Sequence, residues 1–250
     1  MARIFLDEAT VQFRVLSGRD KSLRRVLASS VVGGVLGRGP KGSTEITALD
    51  SVRLTIGPGE RVGLMGSNGS GKTTMLRVFS RVYRPTSGSA LVDGSVTALS
   101  DIALGMNPEV SGIKNIFLLG ALLGMSDREI KTGLDEIIDF SGLGDFINLP
   151  MRTYSTGMQM RLSFAVSTVS APDVLLMDEW LSVGDETFKV RAEERLQSLI
   201  EETKILVLAS HSRSLLESVC TRGIILEHGR VVRDGPIHDL TEEYFSPTES

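Results

Sequence analysis

Eight consecutive residues carry the strongest chemical signal in the chain. Gly66-Ser67-Asn68-Gly69-Ser70-Gly71-Lys72-Thr73 fit the pattern G-x-x-x-x-G-K-[ST] at every fixed position. Glycines let such a loop turn tightly enough for successive N–H groups to face phosphate oxygens, and a following helix adds its positive N-terminus. Lys72 supplies a cation for the β- and γ-phosphates, Thr73 a hydroxyl for Mg²⁺, and Thr74 continues the same binding turn. Alone, the loop specifies a nucleoside triphosphate and nothing narrower.

Two further groups suit that ligand. Val174-Leu175-Leu176-Met177 leads into Asp178-Glu179, so a buried strand delivers two carboxylates at its C-terminal edge, where ligands bind in parallel sheets. Asp178 fits the Mg²⁺ shell, and Glu179 fits a base that polarises the attacking water. An acidic pair ending a strand is common by itself; the phosphate loop upstream selects the catalytic reading. His211 follows the apolar run Leu206 to Ala209 and is placed to reach a γ-phosphate or hold a water. His228 and His238 sit in no motif.

The elements that must position these groups are legible in the periodicity. Ile4 to Leu16 and Ala48 to Ile56 alternate apolar and polar residues as strands do. Arg61 to Met65 is a strand running into the phosphate loop, and Thr73 to Tyr83 reads as the helix after it. Ser17 to Thr44 is basic at first, where GRDKSLRRVLASS is a candidate short amphipathic helix (a stretch outside the residues described below), then loop-like through GGVLGRGPKGST. Short strands are expected near Ala90–Val92 and Val96–Leu99, and helical spacing runs from Val110 to about Phe146. Helices are expected over Met158–Ser170, Glu186–Glu202 and Arg213–Val219, strands over Val174–Met177 and Ile205–Ala209, and a β pair over Gly223–Glu227 and Arg230–Arg233. Continuously apolar short strands alternating with helices predict an α/β core with a parallel sheet.

Composition narrows the class. The chain has 250 residues, 27 basic and 31 acidic, a formal charge of −4, and 41 % apolar residues, enough for a core. One cysteine, Cys220, excludes an internal disulfide scaffold. The acidic balance gives no reason to expect a nucleic-acid partner. Ile116 to Met125 is too short for the ~20 residues of a spanning helix, and MARIFLDEAT does not suit a signal peptide. A cytoplasmic chain with at most a peripheral membrane role is expected.

The order of motifs resembles the nucleotide-binding subunit of an ABC transporter: phosphate loop, then Tyr154-Ser155-Thr156-Gly157-Met158-Gln159, then the Asp178-Glu179 strand, then Ser182-Val183-Gly184-Asp185, then His211. The family signature is usually written LSGGQ. Here Tyr154, Thr156 and Met158 replace its Leu, first Gly and Gln, while Ser155 and Gly157 are retained. By resemblance, Ser155 and Gly157 contact the γ-phosphate held by the other subunit of a head-to-tail homodimer, and Asp185 lies at that seam. The stretches YSTGMQMRLSFAV, DEWLSVGDETF, LSDIALGMNPEVSGIKNI and SHSRSLLESVCTRGIILEHGRVVRDG are similar to the branch that exports lipid-linked O-antigen, galactan or teichoic acid chains.

That resemblance implies the ABC ATPase form of the P-loop NTPase fold: a mixed sheet, an N-terminal antiparallel β subdomain and an inserted α-helical subdomain at about residues 100–170. It implies one nucleotide-binding domain over 1–245, a tail at 246–250, and no appended carbohydrate-binding domain. It further implies ATP and Mg²⁺ as ligands, a separate integral-membrane permease as partner, a lipid-linked glycan as cargo, and a place on the cytoplasmic face of the membrane. The segment from about Pro108 to Met125 would meet the permease, or serve as an ordinary buried stripe. Most such subunits carry a glutamine after the short middle strands. This chain has only Gln12, Gln159 and Gln197, and Asp101 sits near the vacant place as a candidate Mg²⁺ or water contact. Phe13, near the end of the first strand, is the candidate platform for adenine. A soluble ATPase of the same type acting on ribosomes or DNA is the alternative. It is disfavoured because no second nucleotide domain and no heptad run appear. A GTP switch lacks its N-K-x-D motif, and a P-loop kinase does not need the signature.

Overall fold

A computed structural model describes residues 2–15, 35–38, 44–99, 105–179 and 186–246. In chain order these begin with strands β1 (Arg3–Val15), β2 (Val35–Arg38), β3 (Thr44–Ile56) and β4 (Arg61–Met65), then helix α1 (Lys72–Phe79) and strands β5 (Ser87–Asp93) and β6 (Val96–Ala98). Helices α2 (Gly112–Leu122), α3 (Asp127–Ser141) and α4 (Thr156–Ser167) follow, then β7 (Val174–Asp178), α5 (Glu186–Glu202), β8 (Ile205–Ala209) and α6 (Arg213–Val219). The hairpin β9 (Arg222–Glu227) and β10 (Arg230–Pro236) leads to α7 (Ile237–Phe245). The chain divides into two units: Met1–Gly94 with Leu176–Glu179 and Lys204–Ser250, and Ser95–Leu175 with Trp180–Thr203.

In the first unit, the alternating strands form an antiparallel sheet in the order β2-β3-β1-β5. Its inward residues, among them Ile4, Leu6, Ala48, Leu49 and Ile56, are almost wholly buried. The register between β1 and β3 slips at bulges near Glu8 and Ser51, both of which take positive φ (49° and 50°). The apolar strands form the second sheet. There β4 lies parallel to both β8 and β9, β10 returns antiparallel to β9, and β7 lies beyond β8. Every residue of β8 is buried, which is why that segment reads as an unbroken apolar run rather than an alternating one.

In the first unit the structure departs from the sequence-based expectation in three places. The Gly/Pro-rich stretch before Thr44 contains β2, an edge strand made by pairing with β3 from Val35↔Thr47 to Arg38↔Thr44. Helix α1 ends at Phe79 rather than Tyr83, because Arg81 takes a left-handed φ of 62° and its guanidinium is drawn to the Val92 and Gly94 carbonyls. Helix α7 was not anticipated. It seats Ile237 and Leu240 over β4 and β9 so closely that a Cβ on Gly63 or Gly223 would meet Ile237 within about 3 Å.

Arg222 fastens the base of the β9–β10 hairpin. Its guanidinium donates twice to Asp234 (2.7 and 2.6 Å), once to Glu60 (2.6 Å) and once to the Thr55 carbonyl (2.9 Å). The paired carboxylates raise its pKa, led by the Asp234 hydrogen bonds. Arg222→Ala would leave two carboxylates without their cation. Partial solvent exposure limits the loss to about 1–2 kcal/mol, read as a fall in the thermal midpoint. Cys220, which caps the C-terminal end of α6, is buried, and burial pushes its thiol up to about 12. It should therefore resist aromatic disulfide reagents at pH 8 in the folded protein and react at once in denaturant; rapid labelling of folded protein would refute that burial.

The second unit is mainly helical. Asn115, wholly buried on α2, donates to the Asn107, Val110 and Ser111 carbonyls and accepts from the Asn107 N–H, fixing the loop ahead of the helix. Ser126 and Glu129 form a capping box at the start of α3, so the expected helical stretch from Val110 is broken in two. Phe140, Phe164 and Phe188 join α3, α4 and α5 at ring separations of 5.4–6.1 Å. Arg195 lies 4.5 Å from the Phe140 ring centre and pairs with Glu136 at 2.7 Å. On α2 the faces divide: Ile116 and Leu119 are core, as a buried stripe requires, whereas Leu118 and Leu122 are exposed. No helix among the described residues is long and apolar enough to cross a membrane.

Candidate functional site

The C-terminal ends of parallel strands assemble the site in the first unit. Strand β4 runs into the loop that starts at Gly66, β7 ends at Asp178, and β8 is followed by Ser210 and His211. The loop lies backbone against backbone on its neighbours. A Cβ added to Gly66 would collide with the Leu226 carbonyl and Ser70, so this position accepts no side chain. Inside the loop the Ser70 N–H donates to the Ser67 carbonyl at 3.1 Å. Gly71 caps α1, and Lys72 is the first residue of the helix.

Lys72 is buried, and its ammonium donates to the Gly66 carbonyl (2.5 Å) and the Ser67 carbonyl (3.2 Å), both within its own loop. Burial lowers its pKa, and the charges of Asp178 and Glu179 oppose that shift. Its charge is thus poorly solvated and held where an anion would relieve it. The Thr73 hydroxyl donates to Asp178 Oδ2 at 2.8 Å, which brings the two expected metal donors side by side. Glu179 breaks from the strand with a left-handed φ of 67°, and its N–H donates to the Ala209 carbonyl at 2.7 Å. A non-glycine residue held there stores strain of the kind that collects at functional sites.

These groups line one open cavity of about 150 Å³. Asn68, Gly69, Gly71, Lys72, Thr73 and Thr74 form one wall, and Asp178, Glu179 and His211 face them. The volume is below the ~300–1,000 Å³ of a site that encloses a whole small ligand, and suits the phosphate end of a nucleotide. Gly66, Ser67 and Ser70 are not among the residues that line the cavity. Ser70 Oγ is buried against Gly66 and has no hydrogen-bond partner. The Thr73 hydroxyl and the Asp178 carboxylate are oxygen donors of the kind that would suit Mg²⁺.

Phe13 is not among the residues lining the cavity. It lies half-buried on β1 with Tyr83 edge-on at 5.3 Å, and Arg77 reaches the Tyr83 hydroxyl at 3.1 Å. Sequence reasoning missed this aromatic neighbour; its one signal was an aromatic residue just past the helix end. Asp101 and Asp185 lie outside the described residues.

In the second unit Ser155 caps α4, its hydroxyl accepting from the Met158 N–H at 3.2 Å. Ser155 is exposed and Gly157 half-exposed at that helix start. Tyr154, in place of the usual leucine, is buried, and its hydroxyl donates to the Phe146 carbonyl at 2.6 Å. Burial raises the Tyr154 pKa, keeping it a donor. The substitution exchanges an apolar anchor for one that also carries a hydrogen bond.

A family profile described as ABC transporter matches residues 49–182. The O-antigen export system ATP-binding protein RfbE of Yersinia enterocolitica is 39 % identical over 94 % of this chain and 98 % of its own length. The O-antigen export system ATP-binding protein RfbB of Myxococcus xanthus is 43 % identical, with the chain spanning 46 % of it. The teichoic acids export ATP-binding protein TagH of Bacillus anthracis is 39 % identical, with 36 % of it spanned. Among solved structures, a dimeric ATP-binding cassette bound to ADP and Pi aligns with a TM-score of 0.65 at 21 % identity, covering 94 % of this chain and 98 % of that one. That likeness identifies the fold of a single cassette.

Proposed function

Because the chain belongs to the ABC transporter family, we propose that it is the ATP-hydrolysing subunit of an exporter that moves a lipid-linked polysaccharide across the cytoplasmic membrane. It would work as a head-to-tail homodimer beneath a separate integral-membrane permease. The observation that carries the reading is the convergence of Lys72, Thr73, Asp178, Glu179 and His211 on one open cavity. Lys72 and the loop N–H groups hold the β- and γ-phosphates. Thr73 and Asp178 hold Mg²⁺, which neutralises charge on the phosphates when bound. Glu179 takes the proton of the attacking water as its oxygen bonds to the γ-phosphorus, and the bond to the β-phosphate oxygen breaks to release ADP. His211 positions that water or the γ-phosphate. Phe13 offers its ring to adenine.

A cavity open on one side and sized for phosphates agrees with a site completed by a second copy, whose Ser155 and Gly157 would meet the γ-phosphate. Among the apolar side chains that the second unit leaves exposed, Leu118, Leu122, Phe146 and Leu149 support a permease contact there. The export systems named for the O-antigen and teichoic acid relatives support the cargo class. Membranes from cells bearing the tagged full chain, solubilised in mild detergent, should yield it in a complex with a polytopic membrane protein. Sedimentation with ribosomes instead would overturn the transport reading and favour the soluble alternative.

A further inference from the structure

The β9–β10 hairpin does more than extend the sheet. Its two-residue turn, His228-Gly229, has positive φ at both positions (49° and 82°), the twist that a tight hairpin needs. His228 faces solvent, but Gly229 is buried between β3 and the phosphate loop. Its N–H donates to the Ser70 carbonyl at 2.9 Å, and its carbonyl accepts from the Asp50 N–H at 2.9 Å. A Cβ at this position would meet the Ala48 carbonyl oxygen at 2.7 Å, so a glycine is required by the close approach as well as by φ. Next to it, the Arg230 guanidinium closes on Asp50 Oδ2 at 2.8 and 2.6 Å.

The Ser70 carbonyl belongs to the peptide whose other side is the Gly71 N–H, and no peptide among the described residues is cis. Across a trans peptide the carbonyl and the N–H point in opposite directions. Holding the Ser70 oxygen toward the hairpin therefore aims the Gly71 N–H away from it, and Gly71 lines the phosphate cavity. We infer that Gly229, braced by the Asp50–Arg230 pair, is a positioning residue that pre-sets the Gly71 N–H as a phosphate donor. The inference rests on the phosphate-site reading above and adds to it a brace remote from the ligand. Pre-setting one charge-assisted donor removes an ordering cost from nucleotide binding, and the donor is shared by ATP and ADP because both carry the α- and β-phosphates.

The test is binding of a fluorescent ATP or ADP analogue with Mg²⁺ to the purified full chain, at a temperature where circular dichroism shows each variant folded. Gly229→Ala should weaken both nucleotides about tenfold. Arg230→Ala, a change on an exposed side chain, should weaken them about threefold, with Arg230→Lys recovering part of the loss. Arg222→Ala, at the far end of the same hairpin, should lower the thermal midpoint without moving either affinity, which separates positioning from general destabilisation. Where Gly229→Ala fails to fold, Arg230→Ala decides. If Gly229→Ala and Arg230→Ala bind like wild type while Lys72→Ala loses binding, the brace is refuted and the phosphate site stands. If wild type itself binds neither nucleotide, the phosphate site is refuted and the brace with it.

Discussion

Glu179→Gln is expected to bind ATP like the wild type yet release phosphate about 10³-fold more slowly. The amide keeps the size and hydrogen-bonding reach of the carboxylate but cannot accept the proton of the attacking water. Its backbone should not move, because the N–H bond to the Ala209 carbonyl and the left-handed φ are independent of the side chain. With chemistry blocked and both nucleotides retained, two copies should stay closed on two ATP molecules. Light scattering should then report the dimer mass with ATP and the monomer mass with ADP. A variant that hydrolyses normally would remove Glu179 from the role of base, and one that stays monomeric with ATP would count against the two-copy site.

Lys72→Ala should separate binding from folding. Without ligand, the side chain is a buried cation answered by two carbonyls, and burial lowers its pKa. A lysine whose folded pKa lies below its unfolded value of 10.5 disfavours folding while protonated. That penalty is largest below the folded pKa and fades as pH rises toward 10.5. Removing the charge should therefore leave the ligand-free protein no less stable at neutral pH. Nucleotide binding should fall by at least about 100-fold, through the lost charge-assisted bonds to phosphate. At 100 times its dissociation constant, a ligand adds about 2.7 kcal/mol, which moves the midpoint of a protein this size by roughly 5–10 °C. Wild type should show that shift with Mg·ATP and Lys72→Ala should not. An equal shift in both would sink the assignment of the loop.

Much of the first unit is legible in sequence because its determinants are local. Arg61 to Met65, the glycine loop and the start of α1 follow one another without interruption, and each obeys its own pattern. The Asp178-Glu179 and His211 positions are legible for a related reason: an apolar parallel strand must expose its first polar residues at its end. What escaped depends on contacts distant in sequence. Strand β2 is specified by the edge of β3, not by VLGR itself. Pro236 looks like a terminator, yet it pairs with Arg222 and opens α7, whose short apolar pattern gains its meaning only against β9. The end of α1 at Phe79 is set by Arg81 and the carbonyls of the next strand. The brace at Gly229 is invisible in sequence for the same reason, since a hairpin glycine needs no ligand site to explain it. Tyr83 beside Phe13 is a further case, since its partner lies on β1, far upstream in sequence.

The central claim, that ATP turnover at this loop drives glycan export, is tested most directly in cells depleted of the protein and rescued with wild type or Lys72→Ala. Their lipids would be extracted and polyprenyl-linked glycan measured on the inner side of the membrane. Depletion should cause accumulation that wild type relieves and Lys72→Ala does not. Normal levels in depleted cells, or equal relief by both forms, would contradict it.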